Sequence, residues 1–314
     1  MKTIFFYIKD HIKKDYQAST YIITAIFLFI AFFINYFFNI EKNYMNLYLN
    51  STFGYLLYIG FYAIAYFPIL LLKLIITRNY STLSKPELWI KSIVFISLIG
   101  LANAFYYYKP VLSLVDKSNE IFYLQKILNN SKRIIIYIIP LIFLKLAYDN
   151  KQPGIYGLLF KKLNLKPYLL MLLLISPFIF IASFQNDFLQ TYPKIKPWAL
   201  IETFGLKPSL LTIIFEFVYA FDFVFVELMF RGALIIGMVR LLGKDAILPM
   251  VCAYAFLHFG KPLAEAISSV FGGYILGVIA LYSRNIIGGS IVHMGVALMM
   301  EFFAMLQHYI FSNH

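Results

Sequence analysis

Glu227 and Arg231 stand four residues apart in Phe225-Val226-Glu227-Leu228-Met229-Phe230-Arg231-Gly232. That spacing puts both on one helix face and lets them pair, which lowers the cost of burying either charge. Glu216 precedes Glu227 by eleven residues. At about 100° per residue it returns to within about 20° of the same face, while Asp222 points elsewhere. Two histidines follow in separate apolar stretches. His258 closes Tyr254-Ala255-Phe256-Leu257-His258 and runs on into Phe259-Gly260-Lys261-Pro262; His293 opens His293-Met294-Gly295-Val296-Ala297. Histidine titrates near neutrality and can donate, accept or bind metal. One carboxylate and two imidazoles are what water-activated hydrolysis needs: a base for water, with donors or a metal for the oxyanion. Taken singly, each residue has a plainer reading, as a structural salt bridge or a hydrogen-bonded packing histidine. Their recurrence on successive apolar runs weighs toward a site.

The solvent around these residues follows from composition. The chain is 61% hydrophobic and 13% charged, against about 25% charge in a soluble domain. So apolar a chain cannot cover itself with polar surface, and lipid must be its main solvent. Aromatics, at 19%, are mostly Phe and Tyr, and Tyr suits the bilayer interface. The net charge of +12 is dispersed between apolar runs. It reads as headgroup contact and topology signal rather than nucleic-acid binding, for which no motif is present. Lys2, Lys9, Lys13 and Lys14 alternate with Ile4, Phe5, Ile8 and Ile12, the spacing of a short amphipathic helix on an anionic leaflet; the alternative is a solvated tail before the first span.

A helix needs about 20 apolar residues to cross the hydrocarbon. Candidate spans are 18–40, 52–77, 88–108, 134–148, 168–186, 208–230, 246–259, 263–283 and 286–307. The expected fold is an all-α polytopic transmembrane bundle of about eight or nine helices; no dyad alternation suggests strands. Spans one to five carry no acidic residue or histidine in their interiors, although Lys73, Lys91 and Lys145 fall inside spans. The last four hold Glu216, Asp222, Glu227, Glu265, Glu301, His258 and His293. A charge at mid-bilayer costs at least about 2.5–3.5 kcal/mol, so such groups should face each other or a wet cavity. This divides the chain into accessory helices, 1–165, and a functional core, 166–314. Lys and Arg in the loops favour a cytoplasmic N-terminus, with the 109–133 loop arguing the other way. Richness in Ile, Lys, Asn and Phe suggests a prokaryotic cell membrane.

Other hydrolytic schemes fit less well. There is no His-Glu-x-x-His helix, no Gly-x-Ser-Gly and no Gly-x-Gly-Asp. The single cysteine, Cys252, lies six residues before His258 and on another face. Gly272, Gly273 and Gly277, with Gly288, Gly289 and Ser290, would let backbones approach closely and draw Glu227, His258 and His293 together. A transporter is a further class, but no related halves with interrupted helices are visible.

At its three motifs the sequence resembles the CAAX protease and bacteriocin-processing (CPBP/Abi) family, which includes the type II CAAX prenyl endopeptidases. Family members carry Glu-Glu-x-x-x-Arg, Phe-x-x-x-His and His-x-x-x-Asn or Asp on successive helices. The resemblance covers roughly 205–307, with three departures: Val226 for the first glutamate, Tyr254 for the phenylalanine and Ala297 for the final Asn or Asp. Moving the carboxylate by one residue turns it by about 100°. Glu227 can therefore serve only on a turned or distorted helix, or with help from Glu216. The resemblance implies an intramembrane endopeptidase acting on a membrane-associated peptide or lipidated protein. Glu227 would be the base, held by Arg231, and His258 and His293 would be oxyanion donors; Glu216 and Tyr254 would support them. Glu227, His258 and His293 would also make a divalent metal site suited to zinc. The departures favour a second expectation, a membrane scaffold that binds a partner without cutting it.

Overall fold

The computed structural model describes residues 2–106, 108–152, 154–160 and 163–311; the side chain of Lys2, named above, lies outside this description. Among these residues the chain is helical, with two isolated bridges and no strand. The longer helices are α1 (Lys2–Asp15), α2 (Ala18–Phe38), α3 (Thr52–Ile76), α4 (Pro86–Ala104), α5 (Ser118–Tyr148), α6 (Lys166–Ala182), α7 (Pro208–Glu227), α8 (Ile247–Phe256), α9 (Leu263–Ser283) and α10 (Ile287–Phe311). A π-helical segment, Leu228–Gly237, continues α7. Helix ends follow local chemistry. Ser51 caps α3 by accepting from the Gly54 amide at 2.9 Å, Pro86 opens α4, and Arg284 ends α9 at φ +55°.

Seven described helices are long and apolar enough to cross a membrane. These are α2, α3, α4, α5, α7 with its π continuation, α9 and α10. The helix α6 is a shorter apolar one of 17 residues. The expected span at 246–259 is the 10-residue α8, buried on every side. A helix that is apolar all round belongs inside a protein as readily as inside lipid. At about 1.5 Å per residue, α8 covers only half the hydrocarbon thickness.

Backbone contacts form two compact units. The first comprises 1–105, 136–162 and 227–289; the second comprises 106–135, 163–226 and 290–314. In the first, α3 packs on α4 and α8, α8 packs on α9, and α1 lies along α9. Helix α1 docks through Ile4, His11 and Asp15 and turns Phe5, Phe6, Lys9, Ile12, Lys13 and Tyr16 outward. The apolar interior of the second unit includes Tyr123, Ile195, Leu211, Phe215, Tyr219 and Ala297, with Ile179, Phe188, Tyr192, Met300 and Ala304 in another cluster.

Candidate active site

Helix α7 keeps α-helical hydrogen bonding as far as Glu227 and changes to the i→i+5 ladder at Leu228. The distortion therefore begins one residue after Glu227 and lies between that carboxylate and the rest of the motif. The π ladder stacks residues five apart, and Gly232 and Gly237 share that spacing. Both meet Tyr156: a Cβ on Gly232 would lie 2.7 Å from its carbonyl oxygen, and one on Gly237 would lie 2.8 Å from its ring. The last carbonyl of the segment, on Gly237, accepts from Lys91 Nζ at 3.1 Å. Single π turns within helices are rare and frequent at functional sites.

Glu227 and Arg231 are fully buried, and Arg231 Nη1 donates to Glu227 Oε1 at 2.8 Å. The Arg231 guanidinium lies 4.0 Å from the centre of the Tyr254 ring, a cation–π contact that helps hold the charge away from water. Opposite the other carboxylate oxygen is Gly289, where a Cβ would stand 2.9 Å from Glu227 Oε2.

Tyr254 links the arginine to the first histidine. Its ring centre is 4.6 Å from that of His258, and its carbonyl oxygen is 2.9 Å from His258 Nδ1. A carbonyl only accepts, so Nδ1 carries the proton, and in the neutral ring Nε2 is the acceptor. The small residues of α9 serve the close approach expected of them. A Cβ on Gly273 would lie 2.9 Å from Tyr254 Cδ1, and one on Gly277 would lie 2.8 Å from Met250 Cε; Gly272 meets nothing within 4 Å.

The first unit thus brings together Glu227, Arg231, Tyr254 and His258. His293 and Glu216 belong to the second. There the His293 ring lies 4.4 Å from Phe223. The Glu216 carboxyl meets Glu301, whose Oε2 accepts the Lys194 amide at 2.8 Å. Asp222 pairs with Arg133. Ala297, at the position of the motif's last polar residue, is packed among apolar side chains. Among the described residues, no three His, Cys, Asp or Glu side chains within either unit gather as a metal site. The sequence reading missed the roles of Tyr156 and Gly289. Gly232 and Gly237 at a spacing of five were the available signal for the first, and the paired glycines opening α10 for the second.

Residues 208–299 match the model of a protease family described as type II CAAX prenyl endopeptidase Rce1-like. No curated protein and no solved structure matches the chain. The stretch of this integral membrane protein that holds Glu227, Arg231, Tyr254, His258 and His293 is thus similar to that protease family.

Proposed function

We propose that the chain is an intramembrane endopeptidase that hydrolyses a peptide bond in a membrane-associated or lipidated protein. The residues given chemical roles lie in 166–314, and residues of 1–165, Tyr156 and Lys91 among them, pack around them. Glu227 takes a proton from water as the water oxygen attacks the scissile carbonyl carbon, and that proton passes to the departing amine. Arg231 orients the carboxylate through the 2.8 Å contact. His258, aligned by its Nδ1 contact with the Tyr254 carbonyl, stabilises the oxyanion when protonated. His293 takes the same role by its place in the motif. The observation that carries this reading is the buried 2.8 Å Glu227–Arg231 contact at the head of a π segment, inside the stretch that matches a protease family.

Glu227 and His258 are donors of the kind that a divalent metal such as zinc takes, and a bound metal would acidify a water; no third His, Cys, Asp or Glu gathers with them among the described residues. The carbonyl contact at His258 Nδ1 is the usual second partner of a metal-bound imidazole. Loss of cleavage on chelation, restored by zinc, would support a resident metal; cleavage that survives chelation would exclude it. Membrane lipids are the expected partner of α1, whose outward face mixes Phe5, Phe6 and Ile12 with Lys9 and Lys13.

The test is cleavage of a prenylated C-terminal peptide by the protein in vesicles. Glu227→Gln and His258→Ala should each slow it about 100-fold or more while the protein still folds. Wild-type rates in both would end the reading. A second reading, a binder that does not cut, is favoured by Ala297 in its apolar cluster and by Val226. It predicts that the wild-type protein holds the peptide without hydrolysing it.

A further inference from the structure

The helix α2 is mostly exposed along its length, yet Asn35 near its end is buried. An amide buried in a membrane helix is costly unless its hydrogen bonds are made. Those of Asn35 are made with the turn that carries His258. Helix α8 stops at Phe256, and the chain turns through Leu257–Lys261, with the His258 amide on the Ala255 carbonyl at 3.0 Å and the Lys261 amide on the His258 carbonyl at 3.0 Å. Asn35 Nδ2 donates to the Phe259 carbonyl at 3.0 Å. The Tyr36 hydroxyl donates to the Lys261 carbonyl at 2.7 Å and lies 3.4 Å from that of His258. Asn35 Oδ1 in turn accepts the Glu41 amide at 3.3 Å. The Glu41 carboxylate lies against Gly260, where a Cβ would come within 3.1 Å of Oε1. Phe259 is held by the rings of Phe32 at 5.0 Å and Phe61 at 5.8 Å.

We infer that Asn35 and Tyr36 are positioning residues for His258: they fix the turn after α8 and so the direction of the imidazole. Carbonyls that leave a helix end inside a membrane protein need donors from elsewhere, and here the donors come from α2, 224 and 225 residues away in sequence. The segment taken as accessory therefore completes the candidate site, and α2 lies outside the 208–299 stretch that matches the family. The inference rests on the peptidase reading for its consequence in catalysis, but not for the placement of His258.

The experiment uses the full chain in vesicles with Tyr36→Phe and Asn35→Leu, and Gly260→Ala as a third variant that presses the turn against Glu41. Two quantities are read. One is the rate of carbethoxylation of His258 relative to His308, by peptide mass spectrometry; the other is the split between kcat and KM for the prenylated peptide. The expected result is a change of at least threefold in the relative modification rate. A kcat about tenfold lower at unchanged KM should accompany it, as misplacement of a catalytic group by a fraction of an ångström gives. A purely structural role would lower thermal stability and leave both readouts alone. Folded Tyr36→Phe and Asn35→Leu with unchanged His258 modification would overturn the inference. Altered modification in a wild-type background that never cleaves would support the clamp and count against the peptidase reading.

Discussion

Among the described residues of the first unit, three cations are fully buried against carboxylates, and their partners are placed differently. Lys73 lies between Asp15 at 2.7 Å and Asp245 at 3.4 Å. Lys91 lies between Asp149 at 2.6 Å and Glu87 at 2.8 Å. Each lysine thereby joins segments far apart in the chain: α3 to α1 and to the turn before α8, and α4 to the segment after α5. Arg231 meets Glu227 within one helical turn. A pair inside one turn carries the same desolvation cost, and one tie beyond that turn is the face of the Tyr254 ring in α8, 4.0 Å from the guanidinium. The first two contacts join segments distant in the chain; the third lies within one turn, and under the proposed function it orients the base.

The sharpest break of this comparison is Lys73→Met. It leaves Asp15 and Asp245 buried and facing each other, and loss of one partner from a buried pair costs about 3–5 kcal/mol. Thermal unfolding in detergent should show a large fall in Tm. Replacing the pair together, as Lys73→Met with Asp15→Leu, should recover much of that stability and retain cleavage. The matched double change at the site, Glu227→Gln with Arg231→Gln, leaves a neutral hydrogen-bonded pair. It should recover stability and still fail to cleave. Cleavage in that double variant would make Glu227–Arg231 one more structural fastening.

Glycine substitution gives a smaller effect at the same place. Gly289→Ala sets a methyl 2.9 Å from Glu227 Oε2, and the carboxylate cannot swing away without loosening its bond to Arg231. Overpacking of this kind costs about 1–3 kcal/mol, and cleavage should fall at least tenfold, because the base is displaced. Gly272→Ala is the control: nothing lies within 4 Å of the added methyl. It should be neutral or stabilising by up to about 1 kcal/mol, since alanine suits a helix interior better than glycine. Equal activity in the two variants would separate Gly289 from the site.

The helices that face lipid were legible because their signal is length and composition. The expected spans 52–77 and 263–283 differ by at most one residue from α3 and α9. Helix α8 reads the same in sequence, since burial in protein and burial in lipid select the same residues, so its expected span 246–259 is longer than the helix. The displaced glutamate left a turned helix, a distorted helix and help from Glu216 open, and the π segment after Glu227 was not legible. Gly232 and Gly237, five apart, were a local signal of the i→i+5 ladder, but the Tyr156 they meet is about 80 residues away in the chain. Lys73 and Lys91 stood out as charges inside spans. Their partners did not, because Asp15 is 58 residues from Lys73 and belongs to a segment that read as interfacial. The turn that orients His258 was equally hidden: Asn35 and Tyr36 look like ordinary polar residues at a helix end.

Glu41 tests the comparison at a weaker contact, outside the membrane spans. It lies beyond the end of α2, half-buried against Gly260, with Lys261 near it and Glu265 paired to that lysine at 3.6 Å. Burial pushes its carboxyl up to about 7, and Lys261 opposes the shift without cancelling it. A carboxyl raised in the fold favours the protonated protein. Its contribution is complete below the ordinary value of 4.5 and is lost as pH rises through about 7. His11 runs the other way: burial pushes it down to about 4 against the pull of Asp15, so its contribution is lost as pH falls. His11 is common to wild type and Glu41→Gln, so the difference between their Tm values isolates Glu41. From about pH 5 to about pH 8 the wild type should lose on the order of 1 kcal/mol more than Glu41→Gln. Parallel Tm curves across that window would mean that Glu41 is already ionised at pH 5 and shares the Lys261 charge with Glu265. Its contact with Gly260 would then be an ordinary surface pairing, unlike the buried pair at Glu227.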